Sequence, residues 1–287
     1  MSWTRGQNLY IRNHENDGRV TLGHDRSRLH QAATMGQLLM LHALIEDGAK
    51  VNVTTYNGVT PLHDACSTGH QYSARCLIKA GGKLNPMDID WHTPLTRACS
   101  ERHKDCVDLL IRSGAKLNIE NEMFSPLHCA AAAGCIDSTN LLLQAGAEVD
   151  KLDYNRSGTP LHAAANGHQT ACAKALLQAG ADINSARPTD NKTPLHVAAS
   201  VSAPAEMITL LLQHGAKIHD LDTEGKKAVD LAPMDSQAYG VLKEHTENAG
   251  LLSELCRECI HQHLILDESV NSLPLPERLK EFLQFKS

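Results

Sequence analysis

A block of the form Thr/Ser-Pro-Leu recurs along this chain every 32 to 34 residues, and no other feature limits the possible fold as strongly. The five clear copies begin at Thr60, Thr93, Ser125, Thr159 and Thr193. A copy without the proline, SRLH, begins at Ser27, and a degenerate copy, KAVDLA, begins at Lys227. A period of this length predicts one supersecondary unit repeated along the chain.

Each part of the block has a local structural reason. Threonine or serine caps a helix, and proline fits the first turn, where no N–H partner is needed. The leucine and the small residues after it form one apolar helical face. Gly69, Gly134 and Gly167 are predicted to allow a tight turn before a second, leucine-rich helix. That helix is expected to end at a second series of glycines: Gly48, Gly81, Gly114, Gly146, Gly180 and Gly215.

These blocks resemble the ankyrin repeat. The resemblance covers residues 25–231 and implies an all-α fold, with six repeats and a degenerate seventh. One such unit cannot bury both of its faces, so we expect the units to stack into a curved solenoid. The resemblance implies that the first helices and the inter-repeat hairpins line a concave face. It also implies that the fourth residue of the block ties hairpins to helices by hydrogen bonds, as at His63, His128, His162 and His196.

Composition excludes several classes of protein. Of the 287 residues, 42% are hydrophobic and 3% aromatic, so we expect a core of small aliphatic side chains. The net charge of −6 argues against nucleic acid or an anionic membrane as the main partner. The N-terminus has no apolar block typical of a signal peptide, and the nine cysteines are read as reduced thiols. We therefore expect a cytoplasmic protein, with the nucleus left open.

Four of the ten aromatic residues lie shortly before the proline blocks, at Tyr56, Trp91, Phe124 and Tyr154. In a stack of ankyrin repeats these are positions at or near the hairpin tips. Rigid aromatic side chains are effective binding anchors, so we predict that they contact a target protein. The alternative is that some of them fold back over a neighbouring hairpin.

The last part of the chain loses the repeat but keeps two apolar patterns. In LLSELCRECIHQHLIL the apolar residues share one helical face, and LPLP with a further helical run follows after a loop. A unit of about 40 residues is near the limit of independent folding, so it must pack on the last repeat, on a partner or on both. The two prolines hold the strip extended, which reduces the entropy lost on docking.

This segment resembles the SOCS box. The first family motif is matched by Leu252, Cys256 and Ile260, and the resemblance implies that these bind elongin C, with Leu255 in support. The second motif is matched at the LPLP strip, which implies cullin-5 rather than cullin-2: Leu273, Pro274, Leu275 and Pro276. The implied partners are elongin B, elongin C, cullin-5 and its RING-box protein, together with a target protein.

The predicted organisation has four parts: an N-terminal tail (1–25), ankyrin repeats (26–236), a polar linker (237–250) and a small helical SOCS box (251–287). The tail is either a disordered arm that orders on binding or a loose end. The predicted function is the substrate-recognition subunit of an elongin B/C–cullin-5–RING E3 ubiquitin-protein ligase, without cofactor, metal or catalytic residues. The first rival is a plain ankyrin adaptor whose C-terminal helices merely cap the repeats.

The second rival is an enzyme or metalloprotein. CRECIHQH contains Cys256, Cys259, His261 and His263, residue types that bind zinc. On one helix, however, His261 points away from the other three, and a closed site usually needs a second segment. A nucleophile pair such as His63 and Cys66 lacks any sequence context for an orienting acid or an oxyanion site. We therefore interpret the histidines and the cysteines of the repeats as structural.

Overall fold

We describe the protein from a computed structural model, which covers residues 26–119, 124–153 and 158–247. The helices of these ranges follow one another in pairs joined by short turns. They are α1 Arg28–Thr34, α2 Leu38–Glu46, α3 Pro61–Ser67, α4 Gln71–Lys79, α5 Pro94–Ser100, α6 Lys104–Arg112, α7 Pro126–Ala133, α8 Ile136–Gln144, α9 Pro160–Asn166, α10 Thr170–Gln178, α11 Pro194–Ser200, α12 Ala205–Gln213 and α13 Ala228–Leu231. Residues 237–247 are also helical. The structure thus confirms six helix pairs and a degenerate seventh.

The first helix of each pair begins as the sequence predicts. The hydroxyl group of Thr60 caps α3, and the side chain of His63 bonds back to the backbone N–H of Thr60, which completes a capping box. Pro61 occupies the first helical position, where its missing N–H costs nothing. The glycines after the second helices all have φ between 85° and 92°, which ends those helices as expected.

The turn between the helices of a pair differs from the prediction in one repeat. Gly69 and Gly134 have the predicted left-handed conformation, with φ of 78° and 75°. Gly167 has φ −86°, and the left-handed residue is the next one, His168, with φ 59°. Both Gly69 and His168 lie nine residues after the cap. The prediction for Gly167 is therefore wrong, because the turn is fixed by its distance from the cap rather than by the nearest glycine.

The chain divides into two compact units, with the boundary between Glu148 and Val149. In the first unit, the first helices α1, α3, α5 and α7 pack in sequence against one another, and the second helices α2, α4, α6 and α8 do the same. Leucines at matching positions form the core between these two layers: Leu62, Leu95 and Leu127 from the first helices, and Leu77, Leu110 and Leu142 from the second. Each contributes about 2 kcal/mol by burial.

The second unit repeats this two-layer packing with α9, α11 and α13 in one layer and α10 and α12 in the other. Residues 237–247 were expected to lie in a polar linker, but they are helical. The reason is burial, since Ala238 and Leu242 are fully inaccessible to solvent. These residues therefore form the second helix of the degenerate repeat, while the limits of the C-terminal box remain a prediction.

Candidate functional site

Two neighbouring hairpin tips in the first unit, residues 55–59 and 88–92, are built by the same turn. In the first, the N–H of Gly58 donates to the carbonyl oxygen of Thr55, and the N–H of Thr55 donates to that of Val59, each at 2.9 Å. In the second, Trp91 and Asp88 take the places of Gly58 and Thr55, with both bonds at 3.0 Å. The two tips are therefore structurally equivalent.

The carboxylate of Asp88 holds the second tip in its conformation. Its Oδ1 accepts hydrogen bonds from the N–H groups of Asp90 and His92, at 3.0 and 2.9 Å. Its Oδ2 accepts two bonds from the guanidinium group of Arg97, from Nε at 3.0 Å and from Nη2 at 2.5 Å. The Asp88 side chain is only 1% exposed and that of Arg97 is 31% exposed, so a half-buried cation donates two charge-assisted hydrogen bonds to one oxygen of a buried carboxylate. The tip is therefore fixed before any partner arrives.

His63 connects this tip to the first helix of the preceding repeat. Its Nδ1 accepts the N–H of Thr60 at 3.1 Å, and its Nε2 lies 3.0 Å from the carbonyl oxygen of His92, to which it donates. Burial outweighs these contacts and lowers the pKa of His63 to about 4, so the ring is neutral near pH 7. Nε2 also reaches a hairpin carbonyl oxygen at His30, His162 and His196. The predicted hairpin contact is thus confirmed for His63, His162 and His196, while that of His128 stays a prediction.

The tips present apolar side chains to solvent. Tyr56 is 65% exposed, Ile89 60% and Trp91 49%. The N–H of Ile89 donates to the carbonyl oxygen of Asn57 at 2.9 Å, so the two tips touch. A Cβ atom on Gly58 would come within 3.2 Å of the backbone of Asp88, which shows how closely they pack. The structure thus brings Tyr56 and Trp91 onto adjoining tips.

The other two predicted contact residues, Phe124 and Tyr154, are not placed on these tips by the structure. Phe124 is half-buried and directly precedes the helix cap Ser125, whereas Tyr154 lies outside the described residues. Ile89 was missed by the sequence analysis, although its register could have revealed it. It stands four residues before the cap Thr93, as Tyr56 does before Thr60. A search for aromatic residues alone overlooks an aliphatic residue at the same position.

The cysteines of the described residues are buried, in agreement with a packing role: Cys66, Cys76, Cys99, Cys106, Cys129, Cys135 and Cys172. A hydrogen bond with Cys106 and complete burial raise the pKa of the Cys66 thiol well above its ordinary value. With a neutral, buried His63 nearby in sequence, this is the opposite of an activated nucleophile.

Within residues 26–119, 124–153 and 158–247 no group of three or more His, Cys, Asp or Glu side chains could hold a metal ion. The proposed zinc residues Cys256, Cys259, His261 and His263 lie outside these ranges, as do the elongin-binding and cullin-binding residues of the C-terminal segment. In the same described part of the chain, no helix combines the length and apolarity needed to cross a membrane.

Comparison with known protein families also covers the C-terminal segment, beyond the residues that the structure describes. Residues 251–284 match the family described as SOCS box. Residues 29–78 match ankyrin repeats (many copies), and residues 84–153 and 127–222 match ankyrin repeats (3 copies). Both resemblances stated from the motifs are therefore confirmed.

Whole proteins with both parts are similar over most of the chain. Ankyrin repeat and SOCS box protein 5 of Oryctolagus cuniculus is 43% identical over 91% of this chain and 79% of its own length. Ankyrin repeat and SOCS box protein 11 of Homo sapiens is 43% identical over 91% of this chain and 80% of its own length. Ankyrin repeat and SOCS box protein 9 of Mus musculus is 47% identical over 90% of this chain and 88% of its own length.

Solved structures agree with the described fold. The crystal structure of the human ASB11 ankyrin repeat domain has a TM-score of 0.71 and 37% identity, and the match covers 76% of this chain and 96% of that one. The ankyrin repeat domain of Bcl-3 has a TM-score of 0.63 at 24% identity, over 76% of this chain and 98% of that one, which shows the fold alone.

Proposed function

Because the chain belongs to the ankyrin repeat and SOCS box family, we propose that it is the substrate-recognition subunit of an elongin B/C–cullin-5–RING E3 ubiquitin-protein ligase. The observation that carries the proposal is the occurrence of both parts in one chain. A SOCS box match at residues 251–284 follows ankyrin repeats that occupy most of the preceding sequence. The ankyrin part would bind a target, and the C-terminal box would bring that target to the ligase for ubiquitination and proteasomal degradation.

The chain itself would catalyse no bond change. In the proposed complex, the RING-box protein recruits a charged ubiquitin-conjugating enzyme, and this subunit holds the target near it. Tethering raises the effective concentration of target lysines to the millimolar range for short connections. The rate enhancement then comes from proximity and orientation. The proposal places the protein in the cytoplasm, with the nucleus as the alternative.

Two groups of C-terminal residues carry the proposed assembly. Leu252, Leu255, Cys256 and Ile260 would bind elongin C through one apolar helical edge, in the helix-in-groove mode. The strip Leu273, Pro274, Leu275 and Pro276 would select cullin-5, with its backbone held extended by the two prolines. Because the two motifs are separate, we expect that substitutions in the LPLP strip weaken cullin-5 binding without loss of elongin B/C.

The first experiment removes the elongin contact. Full-length chain with Leu252→Asp and Cys256→Asp is expressed in cells, and bound elongin B, elongin C and cullin-5 are measured by quantitative mass spectrometry. We expect loss of all three, because charges on the apolar edge cannot enter a desolvated groove. Leu221→Asp is the matched control, since Leu221 is 48% exposed in a hairpin of the ankyrin part. Unchanged recovery of elongin by the double variant contradicts the proposal.

A second variant separates elongin from cullin. Pro274→Ala with Pro276→Ala is expected to weaken recovery of cullin-5 while elongin B/C stays bound. A chain that captures its target but neither elongin nor cullin would instead be a plain ankyrin adaptor. In that case the C-terminal helices would only cap the last repeat.

A further inference from the structure

Trp91 stands in a backbone conformation that tryptophan rarely adopts. Its φ is 62°, in the left-handed region that favours glycine and asparagine. In the other described turns, the residue two positions before the helix cap is Gly58, Asn191 or Gly225, each with positive φ. A bulky residue held in this way indicates a function that offsets the strain. The side chain is 49% exposed and can therefore be reached by a partner.

The neighbouring tip positions are also unusual. The residue four positions before the cap is Tyr56 in one tip and Ile89 in the next, but it is Thr189 and Thr223 in the second unit. Bulky apolar side chains at this position are thus concentrated on two neighbouring tips of the first unit. We call Tyr56, Ile89 and Trp91 the apolar tip cluster.

The backbone of the second tip is held in place before binding. The turn that carries Ile89 and Trp91 is held by the Asp88 carboxylate, which is itself bonded to Arg97. A partner therefore loses little free energy to ordering of this surface, which is the condition under which exposed aromatic residues become strong anchors.

Asp90 places an exposed carboxylate beside the cluster. It lies between Ile89 and Trp91 in sequence, and its side chain is 66% exposed. Arg97 donates two hydrogen bonds to one oxygen of Asp88 and reaches Asp90 through one nitrogen at 3.3 Å. The two tips, residues 55–59 and 88–92, contain no lysine or arginine. Burial lowers the pKa of His92, which leaves that ring neutral at pH 7.

We propose that the apolar tip cluster and Asp90 bind a short segment of the target that carries a bulky aliphatic or aromatic side chain next to lysine or arginine. The apolar side chain would contact the cluster, and the cation would pair with the Asp90 carboxylate. An acidic segment is disfavoured, because its charge would face Asp90. The inference rests on the proposed function, since the target is the protein that the ligase would ubiquitinate. Binding at the tips can nevertheless be measured without elongin or cullin.

The test uses a random library of 12-residue peptides displayed on phage, selected on the full-length chain. The comparison variant is Trp91→Gly with Ile89→Thr, which places at each position a residue that the chain already has there, at Gly58 and Thr223. The turn should therefore form in the variant. We expect peptides that the wild-type protein enriches at least about tenfold over the variant, with a bulky apolar residue within two positions of lysine or arginine. Equal enrichment on both proteins, or a consensus with acidic flanks, overturns the inference.

The best peptide is then titrated by fluorescence anisotropy. Asp90→Asn should weaken binding by about two- to fivefold and reduce its dependence on salt, because one exposed charge pair is lost. Leu221→Thr is the control, since it removes an exposed apolar side chain from a hairpin of the second unit and should leave the affinity unchanged. Full affinity of the Asp90 variant contradicts the assigned charge preference.

The two proposals fail in different ways. The tip variant should lose the peptide but retain elongin B/C, whereas Leu252→Asp with Cys256→Asp should lose elongin and retain the peptide. A wild-type chain that binds the peptide but no elongin would refute the ligase function and leave the tip inference standing. A chain that binds elongin but selects no tip-dependent peptide would refute the inference alone.

Discussion

Replacing His63 with threonine tests the claim that a neutral, buried imidazole joins α3 to the next hairpin tip. The chain contains its own precedent, because Thr96 stands at the same position of the next repeat. There the Thr96 hydroxyl oxygen accepts the N–H of Thr93 at 2.7 Å, so threonine preserves the helix cap. It cannot replace the Nε2 contact of His63 with the carbonyl oxygen of His92, which measures 3.0 Å.

The expected loss of unfolding free energy follows from that contact and from the pKa of His63. At pH 7 the variant should lose about 1–3 kcal/mol of unfolding free energy, since a half-buried carbonyl oxygen loses its partner. The folded pKa of His63 is about 4, below the value of about 6.5 in the unfolded chain. Between about pH 4 and pH 6.5, His63 is therefore protonated more often in the unfolded state than in the folded state. The stabilisation is therefore complete above about pH 6.5 and is lost as the pH falls toward 4. Between pH 7 and 5 the wild-type protein should lose about 2 kcal/mol through this one group.

The assay is urea unfolding of both proteins at pH 7 and pH 5, followed by the fluorescence of Trp91, which adjoins His92. A Trp3→Phe background leaves Trp91 as the one tryptophan of the chain. Titration of the remaining histidines is common to both proteins and cancels in the difference. The advantage of the wild type should shrink by about 2 kcal/mol on going from pH 7 to pH 5. A constant difference between the two proteins would refute the assignment of a neutral, buried His63.

Three further substitutions test the packing and the ion pair of the first unit by the same assay. Gly69→Ala should cost at least about 2 kcal/mol, because φ is 78° and the new Cβ atom would lie 2.5 Å from Nδ1 of His103. Gly114→Ala, with φ 88° and nothing within 4 Å, should cost only about 1 kcal/mol, and equal losses would rule out the contact with His103. Arg97→Met should cost about 3 kcal/mol, because it leaves the buried Asp88 carboxylate without its cationic partner. If adding Asp88→Asn to that variant restores none of the loss, the buried charge is not its cause.

Much of the fold could be predicted because its signals are local and repeated. The Thr-Pro dipeptide sets the start of a helix through one hydroxyl group and one missing N–H, so the caps at Thr60 and Thr93 follow directly from the sequence. Gly167 shows the limit of this reasoning. Its repeat places the left-handed residue nine positions from the cap, at His168, although a glycine stands one residue earlier.

Features that depend on tertiary contacts were harder to predict. The segment 237–247 has a mostly polar composition, and its helix is stabilised by burial of Ala238 and Leu242, which composition does not reveal. The exposure of Ile89 and the left-handed conformation of Trp91 depend on how two tips pack together. Tryptophan rarely adopts a left-handed backbone, so the φ of 62° at Trp91 could not be expected from its residue type.

Assembly of purified components tests the central claim most directly. The full-length chain is mixed with elongin B/C and with cullin-5 bound to its RING-box protein, and the mass is measured by size-exclusion chromatography with light scattering. The account predicts one complex with a single copy of each component, which loses cullin-5 in the Pro274→Ala, Pro276→Ala variant and forms no elongin contact in the Leu252→Asp, Cys256→Asp variant. A wild-type chain that elutes alone as a single species while elongin B/C elutes separately would contradict the account.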